Sequence, residues 1–240
     1  MGNNASAIAT TAILADIDSI MCMIMIGIAG GIPGAINSER DIRLGELIFP
    51  GDPIIQYDFK SMLMGYEGEP GIDSNRRPPC RHCRAIANRL RKGKSTAYWN
   101  GLMAEVMERN SNYSRPDATT DPKYKIRKRN PTKYVKNRKN FPRIFNGNIG
   151  SANILLKGKT VRNKIREKHS ILAVDLESAD VADAVSFATE QNGMLRKQYF
   201  VVRGISDYLD ETKMKPSKWR DYAALAAACF AVAIIAHHKV

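Results

Sequence analysis

The amino-acid sequence predicts an α/β protein, a three-layer α/β/α sandwich in which helices cover both faces of a central mixed sheet. Three observations predict it. Strand-like apolar runs alternate with helix-like segments, the length of 240 residues suits one α/β domain, and an apolar content of 44% can fill a sizeable core. We therefore treat residues 1–240 as a single domain that contains an insertion or elaborated surface region at 61–143.

The first sixty residues predict one helix and three strands. The Ala-rich segment 4–14 is helix-like. The Ile- and Met-rich run 20–28, with Gly27 near its end, predicts a strand buried on both faces. Residues 47–49 and 54–57 predict two short strands around a Gly-Asp-Pro turn.

Hydrophobic periodicity weakens between residues 61 and 143, where prolines interrupt the pattern. Two helices are still expected there, at 84–91 and 96–108. Regular alternation returns at Ile144. The remaining predicted elements are strands at 171–174 and 199–202 and helices at 178–189 and 219–236.

The net charge of +13 is concentrated in one segment. Ten of the 37 Lys and Arg residues lie within 123–143, which contains no Asp or Glu. A solvated insertion is the favoured interpretation. The interleaved aromatics Tyr124, Tyr134 and Phe141 leave contact with RNA or DNA as an alternative, and attraction of a phosphorylated substrate as a third.

Four scattered cysteines do not form a disulfide framework, so a reducing compartment such as the cytoplasm is expected. Cys80 and Cys83 have the spacing of half a zinc site. Because no second pair follows, we expect surface thiols and no metal ion.

No membrane partner is predicted. The apolar run 19–36 is interrupted by four glycines and a proline, and 222–236 is too short to span a bilayer.

Three segments place polar or glycine-rich chemistry at predicted strand ends. The first is GIAGGIP at 27–33, where Gly27, Gly30 and Gly31 would let backbone N–H groups approach an anion or would simply form a turn. The second is AVDLESA at 173–179, whose acidic residues either accept hydrogen bonds from the two hydroxyls of a ribose or stabilise the start of a helix. The third is VVRGISDYLD at 201–210, where Asp207 either faces a ligand or caps a helix.

In order and spacing these segments resemble the nucleoside phosphorylase and methylthioadenosine/S-adenosylhomocysteine nucleosidase superfamily, most closely its fungal and bacterial signalling-associated members. The resemblance covers about 1–60 and 143–238 and implies a domain that begins after the family's usual first strands. The supporting motifs are GNNASA at 2–7, DIRLGEL at 41–47, QYD at 56–58, SAN at 151–153, DLE at 175–177, RGISD at 203–207 with Asp210, and WRDYAA at 219–224.

The resemblance implies cleavage of the N-glycosidic bond of a purine nucleoside or nucleotide. Asp207 takes the place of the general acid that protonates the leaving base. Glu177 takes the place of the carboxylate that holds the ribose hydroxyls, and Leu176 replaces a Met that packs under the sugar. The other substrate-binding positions implied in this way are Ser206, Asn153, Leu155 and Arg203.

Hydrolysis is favoured over phosphorolysis. Relatives that use phosphate carry an Arg and a Ser or Thr where this chain has Met25 and Ile28, and neither replacement can bind a phosphate oxygen. Arg43 is a candidate substitute cation, so a phosphorylase using phosphate as co-substrate stays open, as does a degenerate nucleoside- or nucleic-acid-binding module. No organic cofactor is implied, and a homo-oligomer is expected.

Overall fold

The structure is a computed structural model that describes residues 3–35, 38–57, 78–92, 96–123, 141–152, 163, 166–192, 196–209 and 218–238. Helices and strands alternate through most of these residues. In chain order they are α1 (Asn3–Asp16), β1 (Cys22–Gly31), β2 (Leu47–Pro50), β3 (Ile55–Gln56), α2 (Arg81–Lys92), α3 (Thr96–Arg109), β4 (Ile144–Ser151), β5 (Ile171–Asp175), α4 (Ser178–Asn192), β6 (Gln198–Asp207) and α5 (Lys218–Ala236).

The described strands form one mixed sheet in the order β2-β6-β1-β5-β4-β3. β1 runs parallel to β6 and antiparallel to β5, and β4 runs parallel to β2, β3 and β5. Because β2 pairs with β4 as well as with β6, the sheet curls until β2, β6, β1, β5 and β4 form a ring. The predicted mixed sheet with helices on both sides is confirmed, and the ring closure is an additional feature.

Helices cover the sheet from both sides. α4 packs on β6, β1 and β4, and α1 lies against α4. On the other side α5 packs on β6, β1 and β2 and carries α2 and α3. The ring of Phe49 lies 5.8 Å from that of Phe200 and 6.3 Å from that of Phe230, so aromatic contacts join β2 and β6 to α5.

Helix α5 is the central helix of the core. It has 19 residues, and an 18-residue window within it has a mean hydropathy of 1.5. By length and composition alone it could cross a membrane, but 61% of that window is buried inside the protein. Its close approach to β6 depends on Gly204, because a Cβ at that position would overlap the Ala223 backbone. α5 thus agrees with the core helix predicted at 219–236.

Strand β1 is less buried than its composition predicts. Its first residues are only partly buried, and Ile26 is 44% exposed. The pairing explains this difference. β6 flanks β1 from Cys22 onward, whereas β5 reaches it only at Gly30 and Gly31. The first part of β1 therefore has one strand neighbour among the described residues, and full burial begins where the second strand arrives.

The interpretation of 61–143 as an elaborated surface needs a partial correction. Helices α2 and α3 are present near their predicted positions, and their apolar faces belong to the main core. Cys83, Ile86, Leu90, Trp99 and Met103 are each no more than 1% exposed. Proline punctuation and high charge masked this burial in the sequence. Residues 58–77 and 124–140, which include most of the basic segment, lie outside the described residues.

Candidate functional site

A cavity of about 550 Å³ opens where β5 and β6 end beside β1. Its wall combines a backbone stretch of β1 from Gly27 to Gly30 with side chains that follow β5 and β6. Glu177 lines it after β5, and Asp207 lines it at the last residue of β6. Two carboxylates thirty positions apart in the chain therefore face one cavity.

The strand pairing around Gly30 explains this arrangement. Gly30 pairs with Asp207 of β6 on one side and with Val174 of β5 on the other. The pairing with β6 shifts by one residue between Ala29 and Gly30, as in a β-bulge. Because both neighbouring strands end here, the residues that follow them are brought to opposite sides of the same glycine.

The Asp207 carboxyl is fixed through both oxygens. The backbone N–H of Leu209 donates to Oδ1 at 2.9 Å, and Ser206 Oγ lies 2.9 Å from Oδ2. Ser206 Oγ also lies 3.4 Å from the Ala29 carbonyl oxygen. A hydroxyl has one proton to donate, so Ser206 can donate either to the Ala29 carbonyl or to the Asp207 carboxylate. Both oxygens of the carboxyl therefore have a neighbouring hydrogen-bond partner.

The tight turn after Asp207 has a backbone cost. Leu209 adopts a φ of 57°, a left-handed conformation that is unusual for a residue other than glycine. The same residue donates its backbone N–H to Asp207 Oδ1. Local strain therefore accompanies the positioning of this carboxyl.

Glu177 lies half-buried at the cavity wall. Burial raises the pKa of its carboxyl, and this effect exceeds the opposing influence of the Arg203 guanidinium. Arg203 Nη2 is 3.7 Å from Glu177 Oε2. Glu177 therefore lines the cavity and also lies close to the Arg203 guanidinium.

Arg203 lines the cavity, but neighbouring groups of the protein occupy its guanidinium. Its Nε donates to Asp175 Oδ2 at 2.7 Å, and Nη2 donates to Ser178 Oγ at 3.1 Å. Its side chain is 3% exposed. This geometry supports a positioning role toward Asp175 and Glu177, rather than the direct substrate contact expected for Arg203.

Gly27 and Gly30 are required by close contacts at the cavity. A Cβ on Gly27 would overlap the Arg203 guanidinium, and one on Gly30 would overlap the Leu209 side chain. Gly31 lies outside the cavity lining, where a Cβ would come 2.7 Å from the Ile205 side chain. The first two glycines shape the cavity, and the third serves packing.

The position expected to anchor phosphate is apolar in the structure as well. Arg203 Nη2 lies 3.1 Å from the Met25 sulfur, and Ile28 lines the cavity. Among the described lining residues the cationic side chains are Arg203 and Arg220, and Arg220 belongs to the exposed start of α5.

Arg43 does not fit the anion-binding role expected for it. It is 5% exposed and lies outside the cavity lining. Its Nε donates to Asp41 at 2.9 Å, and Nη1 lies 3.4 Å from Asp121. Because two carboxylates already neutralise this guanidinium, it is a structural ion-pair partner and not a free cation.

Leu176 and Ser206 line the cavity as expected, whereas Asn153 and Leu155 lie outside the described residues. The sequence interpretation missed Tyr208 and Trp219, which line the cavity although they are 2% and 5% exposed. Tyr208 adjoins Asp207, and Trp219 opens α5. Their places directly after Asp207 and at the start of the WRDYAA motif were the available signal.

The sequence was compared with models of protein families and with known proteins. No model of a known protein family matches the chain. A nucleotide-binding leucine-rich repeat (NLR)-like protein of Hyaloscypha variabilis is 26% identical over 250 residues, covering 96% of this chain. The chain spans about a quarter of that relative, 23% of its length.

Several solved structures have a similar fold. A 5′-methylthioadenosine/S-adenosylhomocysteine nucleosidase of Neisseria meningitidis in complex with methylthio-immucillin-A matches with a TM-score of 0.59 and 16% identity, covering 98% of this chain and 77% of its own. Futalosine hydrolase of Helicobacter pylori gives 0.58 and 16%, covering 98% and 76%. An S-adenosylhomocysteine nucleosidase of Streptococcus pyogenes in complex with 5-methylthiotubericidin gives 0.59 and 18%, covering 100% and 77%.

The strand order, the covering helices and these three similar structures lead to one conclusion: the chain has the fold of the methylthioadenosine/S-adenosylhomocysteine nucleosidases and futalosine hydrolase.

Proposed function

We propose that this chain hydrolyses the N-glycosidic bond of a purine nucleoside or nucleotide. The observation that carries the proposal is that Glu177 and Asp207 line one cavity on either side of Gly30. At about 550 Å³ this cavity lies within the size range of small-molecule sites. Nucleosidase structures with the same fold hold nucleoside analogues, which supports the substrate class.

Asp207 is proposed as the general acid. A purine leaving as an anion is a poor leaving group, and a proton delivered in the transition state contributes a rate factor of about 10²–10⁴. The Leu209 N–H and the Ser206 hydroxyl hold the carboxyl in one orientation at the cavity wall, which lowers the entropy cost of aligning it with a bound base.

Glu177 is proposed to accept hydrogen bonds from the ribose hydroxyls. Its negative charge also stabilises the positive charge that develops on the sugar as the bond to the base breaks. Leu176 supplies the apolar surface beneath the sugar. Water then adds to C1′, and the proton that it releases replaces the one that Asp207 gave up.

Water is favoured over phosphate because Arg203, the cation that adjoins Gly27, is already paired. Arg203 is engaged by Asp175 and Glu177, and Arg220 lies at the exposed start of α5. A phosphate dianion bound near Met25 and Ile28 would lose its hydration and would have to compete with Asp175 and Glu177 for the Arg203 guanidinium.

The test is chromatographic release of free base from adenosine, inosine, methylthioadenosine and ATP, each with and without phosphate. Hydrolysis yields free ribose or its 5′-substituted form at a rate independent of phosphate. Asp207→Asn is expected to lose at least about 100-fold in rate, since it removes the acid. Asp183→Asn makes the same chemical change on an exposed turn of α4 and is expected to leave the rate unchanged.

Other outcomes separate the alternatives. Phosphate-dependent formation of ribose 1-phosphate would replace hydrolysis by phosphorolysis. No release from any substrate, together with nucleoside binding by the folded protein, would contradict catalysis and favour a binding module. Homo-oligomerisation and a cytoplasmic location stay predictions, and nucleic-acid contact through 123–143 stays the less favoured alternative to a solvated insertion.

A further inference from the structure

Three cysteine side chains converge at a place that the proposed reaction does not use. Cys22 opens β1, Cys80 directly precedes α2, and Cys83 lies in the first turn of α2. Their sulfur atoms all lie within 4.8 Å of one another. None of the three lines the cavity. The fold thus brings thiols from two distant segments into one cluster. This cluster lies at the start of β1, whereas the glycine stretch lies at its end.

The sulfur spacing suits a shared metal ion. Cys22 Sγ lies 3.7 Å from Cys83 Sγ. In a tetrahedral site with metal–sulfur bonds of about 2.3 Å, the sulfurs lie about 3.8 Å apart. A disulfide needs about 2.05 Å. Two thiols in ordinary contact also lie at about this distance, so the distinguishing feature of the cluster is that three sulfur atoms converge.

The backbone holds the Cys80–Cys83 pair in the required orientation. The Cys80 N–H donates to the Tyr199 carbonyl at 2.7 Å, which ties the segment to β6. The Cys83 N–H donates to Cys80 Sγ at 3.4 Å. This contact fixes the Cys80 sulfur beside Cys83.

Burial at the cluster is uneven. Cys80 and Cys83 are 2% and 0% exposed, whereas Cys22 is only half-buried. This corrects the expectation of surface thiols and leaves a route for an ion on the Cys22 side. Among the residues that the structure describes, no fourth Cys, His, Asp or Glu joins the group. Three thiolate ligands leave one coordination position for water or an added ligand.

We propose that Cys22, Cys80 and Cys83 form a binding site for Zn²⁺. Three thiolates select a soft or borderline cation over Mg²⁺ or Ca²⁺. The ion would fasten the start of β1 to α2. Gly27 lies five residues further along β1, about 16 Å at the usual rise of a strand, so the ion acts on the fold and not on the reaction.

The experiment measures zinc in the full-length chain after removal of any affinity tag. Elemental analysis and competition with a chromogenic chelator give stoichiometry and affinity for wild type, Cys83→Ser and Cys229→Ser. Cys229 is a matched control, because it is a buried cysteine of α5 outside the cluster. Wild type and Cys229→Ser are expected to bind one equivalent, and Cys83→Ser to bind at least about tenfold more weakly.

A second measurement needs no variant. Zn²⁺ added to the reduced wild-type chain should protect Cys22, Cys80 and Cys83 from alkylation, as identified by mass spectrometry, while leaving Cys229 unchanged. Co²⁺ in place of Zn²⁺ should give the thiolate charge-transfer band and the visible bands of a tetrahedral site. The proposal is overturned if wild type binds no zinc, if zinc protects none of the three thiols, or if two of them are found joined in a disulfide.

Discussion

Replacing Arg203 by Met is expected to lower the free energy of unfolding by about 3–5 kcal/mol, because it leaves a buried carboxylate without its cation. The side chains of Arg203 and Asp175 are 3% and 1% exposed, and Nε lies 2.7 Å from Oδ2. Met retains most of the apolar length of the arginine, so lost packing contributes little. The missing charge dominates the effect.

Urea unfolding followed by tryptophan fluorescence measures this loss, and thermal unfolding gives the corresponding change in Tm. For a chain of this size a loss of about 1 kcal/mol lowers Tm by about 2–4 °C, so Tm should fall by about 6–20 °C. Arg109→Met is the matched control, since it removes the same side chain from an exposed ion pair with Glu105, 77% and 55% exposed. That pair should contribute less than about 1 kcal/mol.

Equal losses in Arg203→Met and Arg109→Met would refute the reasoning. A double variant adds a second check. When Asp175→Asn is combined with Arg203→Met, neither position carries an unpaired charge. The double variant should therefore lose less free energy of unfolding than the sum of the losses in the two single variants. Strict additivity would show that the two side chains do not interact.

Two further predictions concern the cavity wall. Gly27→Ala should lower the free energy of unfolding by about 1–3 kcal/mol and reduce base release, because the new Cβ meets a guanidinium that hydrogen bonds hold in place. The control is Gly101→Ala in α3, where a Cβ meets nothing within 4 Å, and this variant should raise the free energy of unfolding by up to about 1 kcal/mol. Equal effects of the two substitutions would contradict the overlap at Gly27. Burial raises the pKa of Glu177, so the folded state binds that proton more tightly than the unfolded chain, and stability falls as pH rises through the raised pKa. In Glu177→Gln the urea midpoint, measured between about pH 4 and pH 8, should not show this fall, and base release should be abolished. If the variant keeps the pH dependence of the wild type, burial of the Glu177 carboxyl is not its cause.

Local patterns predicted most of the elements near the cavity. The run of Ile and Met that ends at Gly27 predicted β1, and the Ala-rich segment after Trp219 predicted α5. Each depends on burial and hydrogen bonding over neighbouring positions, which a sequence displays directly. The three motifs at strand ends also indicated the side of the sheet on which Glu177 and Asp207 would be found.

Long-range contacts were not readable in the same way. Arg43 looked like a free cation although Asp41 lies two residues before it, and its second partner Asp121 lies far along the chain, in a segment with weak periodicity. Cys22 looked like a small apolar residue in a strand because the pair at 80 and 83 belongs to a different region. In both cases the pairing is created by tertiary structure, and a single sequence offers no period or spacing that encodes it.

The contact that completes the ring joins β2 to β4, and residues 51–143 lie between these two strands in the chain. Bringing such distant segments together costs entropy before their hydrogen bonds repay it, so the ring is expected to close late in folding. β1, β5 and β6 are members of the ring, and a chain whose ring is still open has no formed cavity. Nucleoside affinity would therefore report on the completion of folding, and a bound ligand would slow amide exchange throughout the ring and not only beside itself.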